Sequence, residues 1–248
     1  QSAQFYKQMM VGVFERVFEI NPTYRAERSA TTRHMTEFIH IDMEMGFVDF
    51  DGLVNFVGQL LHGVVKQVWQ NQESNMALWD ATNPILSETI PSMTMAEIHE
   101  KYSKANEQQT IGEKDLRPDE ERWICEYAKE HFGSEAIFVT AWPASEMKFY
   151  HRLNEKDPDI ADRFDLLFRG VEIATGSMRE HHYGKLIQQL KDLAGGDPEN
   201  PGFKYYLQAF KHGLPPHGGM GMGLERLTQK IIGLGNVKEA SLFPRDIN

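Results

Sequence analysis

Hydrophobic and polar positions alternate most legibly between Glu15 and Phe47. From Met35 the period is two: Met35, Glu37, Ile39, Ile41 and Met43 take one face, and Thr36, Phe38, His40, Asp42 and Glu44 the other. That pattern predicts a strand. The preceding stretch, ending in Arg25 and Glu27 on one face, reads as its partner, joined by a short polar loop that holds Arg28, Arg33 and His34. A second pattern follows at spacings of three and four. Leu53, Phe56, Val57, Leu60, Leu61, Val64, Val65 and Val68 predict an amphipathic, core-packing helix over about residues 52–72.

The remaining elements are shorter. Residues 1–14 read as a helix leading into the hairpin, and 73–118 as a turn-rich insertion or connecting region with a short helix near 94–103. Asp119 is placed to cap a helix through about His131, with Gly133 ending it. Ala136–Trp142 is an apolar run of strand length, and Phe164–Thr175 reads as two strands broken at Arg169-Gly170. Ser177 is expected to open a helix through about Leu193, and Phe203–His212 forms another. In HGGMGMGLERL the glycines let the backbone approach a ligand, and Leu224 starts a helix with Arg226 in its first turn, where the dipole favours anions. The glycine spacing fits neither a Walker loop nor a Rossmann fingerprint. Strands and helices mix without regular βαβ alternation, which predicts an α+β fold with a mainly antiparallel sheet.

Composition narrows the function. The 248 residues carry a formal net charge of −10, which argues against broad nucleic-acid coating while leaving room for a local basic groove. Cys125 is the only cysteine, so disulfides and thiolate metal clusters are excluded and a cytoplasmic setting fits. No apolar run nears the ~18 residues of a membrane span.

Two constellations carry candidate chemistry. The hairpin combines arginines, carboxylates and one ring among polar neighbours, which suits a nucleotide; it equally describes a surface hairpin with salt pairs. Asp165, Glu172 and Thr175 put oxygens on adjoining strands, either as Mg²⁺ ligands or as partners of an arginine such as Arg179. His181-His182 are adjacent and make a poor zinc signature.

Together these segments resemble the catalytic domain of class II aminoacyl-tRNA synthetases. TYRAERSATTRHMTEF looks like the second signature motif of that class and HGGMGMGLERL like the third. QSAQFYKQ, RHMTEFIHIDMEM, GVEIATGSMREH and EASLFPRD point to its aspartyl branch, in the archaeal and eukaryotic form. The resemblance spans the chain except about 73–135. It implies ATP-dependent activation of L-aspartate and transfer to tRNA, with Mg²⁺, and a homodimer in the full-length enzyme.

It also implies roles. Arg25 holds the α-phosphate and the amino-acid carboxylate. Glu27 accepts from the adenine amino group, while Phe38 and Arg226 stack on its two faces. Arg33 and His34 clamp the distal phosphates. Glu172, Thr175 and Asp165 serve Mg²⁺. Ser2, Gln4 and Asp42 receive the substrate ammonium, and Lys7 and Arg179 its side-chain carboxylate, as two cations that repel each other in an empty pocket. Ala3 replaces the proline usual in the first stretch. The first signature motif and the anticodon-binding domain are expected ahead of residue 1. Two alternatives stay open. An asparaginyl enzyme shares the scaffold, though Lys7 argues against it, and a non-catalytic paralogue would usually lose the motif arginines present here.

Overall fold

The front of one antiparallel sheet organises the protein, and the alternation just described decides what faces it. The computed structural model describes residues 3–26 and 31–245; Ser2 and Glu27, with Arg28, lie outside them. Helix α1 (Ala3–Phe14) leads into strands β1 (Arg16–Tyr24) and β2 (Glu37–Gly46), followed by α2 (Phe50–Ala77). Then come β3 (Ser92–Thr94), α3 (Met95–Asn106), α4 (Pro118–Phe132), β4 (Ala136–Pro143), β5 (Ile160–Phe168) and β6 (Val171–Met178). The chain closes with α5 (Tyr183–Ala194), α6 (Lys204–His212), β7 (His217–Gly223) and α7 (Leu224–Ile232). The strand order is β1-β2-β7-β6-β5-β4-β3, antiparallel except for the β3–β4 pair. The α+β, mainly antiparallel expectation holds.

The back of the sheet is apolar. Met43 and Met45 of β2, Met220 and Met222 of β7, and Phe164 and Leu166 of β5 pack against Leu53, Val57, Leu61 and Val65 of α2. The front is covered at the β3–β4 end, where Ile124 and Ala128 of α4 and Ile98 of α3 pack on Ile137, Val139 and Leu167, and over β2 by α1, whose Val11 lies over Gly46. The aromatic cluster of α5 and α6, with Leu186, Tyr206 and Phe210, packs with Phe5 of α1. The middle of the front face is left to polar side chains.

Several expectations need correction. The hairpin loop is not short: β1 stops at Tyr24 and β2 starts at Glu37. Arg25 lies just past the strand, its amide still donating to Thr36 O at 2.9 Å. Helix α4 is capped by Arg117 with Pro118 at its first position, and Asp119 instead accepts from the Tyr102 hydroxyl at 2.6 Å. Ser177 does not open a helix. It continues β6, paired to Arg163 and Gly219 on either side, and α5 begins only after His182. Its hydroxyl accepts from Arg179 Nη1 just past the strand. Residues 73–135, read as an insertion or connection, contribute edge strand β3 and the two helices that cover the front of the sheet. The break at Arg169-Gly170 is a two-residue turn with φ of 48° and 80°, the left-handed pair a tight hairpin needs. Among the described residues no helix is long and apolar enough to cross a membrane.

Candidate active site

Two rows of residues cross the front face. One runs Asp165, Thr175, Gly221, Asp42 and the other Arg163, Ser177, Gly219, Glu44, each step a paired position on adjacent strands. The glycines are required by their neighbours. A Cβ on Gly221 would sit 2.3 Å from the His40 ring, and one on Gly219 2.0 Å from a Glu44 carboxylate oxygen. The GMGMG pattern therefore puts methionine into the core and leaves the front of β7 bare for side chains from β2.

Above these rows lie two adjoining clefts that share Arg25, His40, Thr175 and Gly221. The outer one is lined by Phe38, Arg33, His34, Glu172 and Arg226. Arg226 is set by its helix: the neighbouring Glu225 carboxylate accepts from Ile39 N at 2.9 Å, tying the first turn of α7 to β2. Its guanidinium then donates to Glu172 O at 2.9 Å and Arg33 O at 3.1 Å. Arg25 is exposed and lies over the Phe38 ring, 5.0 Å from its centroid. Arg33 is ion-paired with Glu121 of α4. His34 Nδ1 is 2.6 Å from Thr31 Oγ1.

The inner cleft is lined by Gln4, Lys7, Asp42 and Arg179, among others. Here the expectation of two repelling cations fails. Lys7 Nζ donates to Asp42 Oδ1 at 2.7 Å and to Met220 O at 3.0 Å. Arg179 holds Glu44 in a fork, at 2.7 and 3.2 Å, and donates to Ser177 Oγ at 2.6 Å. Both cations are neutralised before any ligand arrives, because burial at 3–5% exposure is tolerable only for paired charges. Burial pushes the Asp42 carboxyl up, but the hydrogen bond from His40 and the Lys7 charge outweigh it and bring it to about 2. Burial likewise raises Glu44, and the Arg179 and Lys7 charges more than reverse it, leaving it below the usual range.

The supposed Mg²⁺ set divides. Asp165 lines neither cleft; Arg163 Nη2 donates to it at 2.9 Å, so the arginine partner in this strand is Arg163 and not Arg179. Burial raises the Asp165 carboxyl to about 7 against the opposing pull of Arg163, with the nearby Glu172 charge adding to the rise. Glu172 and Thr175 do line the outer cleft, and Glu172 is a half-buried carboxylate. As a half-buried carboxylate at the cleft wall, Glu172 is the one of the three that could hold a divalent cation, with Asp165 behind it. A different donor group, Glu180, His181 and His182, lies outside both clefts, and Glu180 is already taken by His182 N and Nδ1 at 2.8 and 3.0 Å.

Sequence reasoning missed some of these residues. Glu44 was on the correct face of β2 but had no role. Arg163 stands two residues before Asp165 and so shares its face, a signal available in the sequence. Lys114 and Asp115 come from the turn-rich stretch 73–118, Glu121 from the first turn of the helix predicted after it, and Lys148 from a later loop; only the fold brings them to the site.

A family model for class II tRNA synthetases (D, K and N) matches residues 1–247, and the chain belongs to that family. Among its relatives, the aspartate–tRNA(Asp/Asn) ligase of Thermus thermophilus is 43% identical over 247 residues, covering 99% of this chain and 57% of that protein. The aspartate–tRNA(Asp) ligase of Pyrococcus abyssi is 37% identical over 248 residues, covering 99% and 56%. The aspartyl-tRNA synthetase of Entamoeba histolytica superposes with a TM-score of 0.90 at 30% identity, over 98% of this chain and 50% of that one. The asparaginyl-tRNA synthetase of Pyrococcus horikoshii with asparaginyl-adenylate gives 0.90 at 28% identity, over 100% and 56%. The chain thus spans a little over half the length of the curated relatives it matches.

Proposed function

We propose that this chain activates L-aspartate with ATP and, in its longer protein, passes the aspartyl group to the 3′ end of a tRNA. The observation that carries the reading is the meeting of the two clefts at Arg25. A nucleotide in the outer cleft and an amino acid in the inner one place α-phosphate and carboxylate beside the same guanidinium. The substrate carboxylate attacks the α-phosphorus and pyrophosphate leaves. The terminal tRNA hydroxyl then attacks the aspartyl carbonyl, and AMP leaves. No protein nucleophile takes part; Arg25 meets the negative charge that grows on the α-phosphoryl oxygens.

Phe38 and Arg226 offer two planar surfaces to the base, and Arg33 and His34 the distal-phosphate contacts. Gln4 and Asp42 receive the substrate ammonium. Arg179 spends one edge on Glu44 and one hydrogen on Ser177, which leaves guanidinium hydrogens for the substrate side chain. Mg²⁺, when bound, neutralises phosphate charge; Glu172 is the residue to hold it, with Thr175 beside it and Asp165 behind. Ser2 and Glu27 keep their proposed ammonium and adenine contacts on the resemblance alone. The exposed Phe18 and Ile20 on edge strand β1, with Val13 and Phe14 of α1, support a homodimer in the longer protein.

The test is amino-acid-dependent exchange of pyrophosphate into ATP. Exchange with aspartate and about a hundredfold less with asparagine is the expected result, since losing two charge-assisted contacts at about 1.5 kcal/mol each, or one near about 3, costs about 3 kcal/mol. Equal rates would favour the asparaginyl reading, to which the likeness to that P. horikoshii structure lends weight. No exchange with either would favour a non-catalytic paralogue.

A further inference from the structure

The outer cleft ends against α4. There Glu121, in the first turn of the helix, takes the Arg33 guanidinium, and the two side chains are only 13% and 19% exposed. The carbonyl of Arg33 is held separately, by Arg226 Nε at 3.1 Å. The residue is thus fixed at both ends, backbone by α7 and side chain by α4. One donor is left over: Arg33 Nε is buried and has no hydrogen-bond partner. A buried N–H without an acceptor is uncommon, and this one belongs to a side chain lining the nucleotide cleft.

We propose that Glu121 is a positioning residue for the nucleotide. It holds Arg33 at the outer end of the cleft so that the remaining guanidinium donors meet the distal phosphates of ATP. The proposal rests on the outer cleft being an ATP site. A guanidinium can serve both partners because it carries five N–H donors in a fixed plane; Glu121 occupies one corner and phosphate takes others. Fixing a long, flexible side chain in advance also removes the ordering cost that would otherwise weaken binding. The charges facing Glu121 are Arg33, Arg226 and Glu172. Its negative charge is cancelled by Arg33 and so does not repel the triphosphate. The opposite arrangement, in which Glu121 sequesters Arg33 and must be displaced, predicts the reverse effect of removing it.

The experiment is equilibrium titration of ATP with Mg²⁺ into wild type, Glu121→Gln, Arg33→Ala and the double variant, alongside KM for ATP and aspartate in pyrophosphate exchange. Glu121→Gln should weaken ATP binding about tenfold and leave the aspartate KM unchanged. In an Arg33→Ala background it should do nothing more, because Glu121 acts only through Arg33. Glu121→Asp, which keeps the charge but shortens its reach, should fall between and serves if the glutamine variant does not fold. Unchanged or tighter ATP binding in Glu121→Gln overturns the proposal, as do additive losses in the double variant. Absence of ATP binding in wild type overturns the nucleotide reading itself, and this proposal with it.

Discussion

The two clefts share a floor and hold their charges in opposite ways. In the inner cleft Lys7, Asp42, Glu44 and Arg179 are all buried and each cation is matched to a carboxylate from β2. In the outer cleft Arg25 is exposed and rests on a ring, Glu172 is half-buried, and Arg226 leans on backbone carbonyls. The difference matches the roles proposed for the two clefts. A pocket that tells aspartate from asparagine needs cations that cannot drift, and low-dielectric burial makes each contact count for more. The outer cleft anchors only Arg33 on a carboxylate, Glu121, and leaves Arg25 exposed, free to follow phosphates as they change charge and leave.

If that contrast is real, cutting one charge in each cleft should give different kinds of failure. Arg179→Leu leaves Glu44 fully buried with Lys7 3.7 Å away as its remaining cation. Breaking such a pair costs about 3–5 kcal/mol. The variant should therefore unfold at much lower denaturant and lose aspartate activation more than asparagine activation. Replacing the pair together, Arg179→Leu with Glu44→Leu, should recover much of the stability and none of the activity. A single variant of wild-type stability would show that Lys7 alone can hold Glu44.

Arg25→Ala should do the reverse. Losing an exposed contact with Phe38 costs at most about 0.5–1 kcal/mol of stability, whereas removing the donor proposed to meet transition-state charge should lower pyrophosphate exchange about a hundred- to a thousandfold. Arg25→Lys should remain poor, since a point charge does not reproduce a planar fork. Near-normal exchange by Arg25→Ala would remove it from the chemistry.

How much of this was legible without coordinates follows from the same contrast. The alternation in β2 already put His40, Asp42 and Glu44 on one face, and the glycines of β7 already announced a surface without side chains. Local periodicity reports that reliably because it needs no partner. It could not report that Lys7 and Arg179, 172 positions apart in the chain, would each meet a carboxylate from one strand, since that depends on β2 lying between α1 and β7. It also misjudged Ser177, which reads as the start of a helix until the strands on both sides are seen. The Arg33–Glu121 contact bridges 88 positions and joins a loop to a helix whose existence the pattern predicted but whose place over the cleft it could not.

A smaller effect separates the buried carboxylates by pH. Asp42 sits at about 2, below its ordinary 3.8, so its contribution is present above about pH 4 and is lost as the pH falls through 2. Asp165 sits at about 7, above its ordinary 3.8, so its contribution is present below about pH 4 and is lost as the pH rises through 7. Thermal midpoints should follow. Asp42→Asn should be less stable than wild type near neutrality, with the gap closing in acid. Asp165→Asn should gain on wild type as the pH rises from about 4 to 8. Parallel curves for either variant would mean that its carboxyl titrates normally in the folded protein.

The smallest expected effect concerns Glu172, and it tests the outer cleft at its most open point. Its carboxylate lies 3.8 Å from Arg226 Nη1, too long for a firm pair, and it raises the neighbouring Asp165. A divalent cation there would gain one carboxylate and the phosphates. Glu172→Gln keeps shape and removes charge, so the Mg²⁺ concentration for half-maximal exchange should rise about tenfold, equivalent to about 1.4 kcal/mol. Asp165→Asn should move it less, because Asp165 does not line the cleft and Arg163 holds it. A second readout needs no metal. With the Glu172 charge gone, Asp165 should titrate lower, so the loss of stability that begins near about pH 4 should be smaller and should level off at a lower pH than in wild type. An unchanged Mg²⁺ requirement would make Glu172 a structural neighbour of Arg226. If Asp165→Asn produced the larger shift, the ligand would be the buried carboxylate, and the cation would sit deeper in the sheet than the cleft lining indicates.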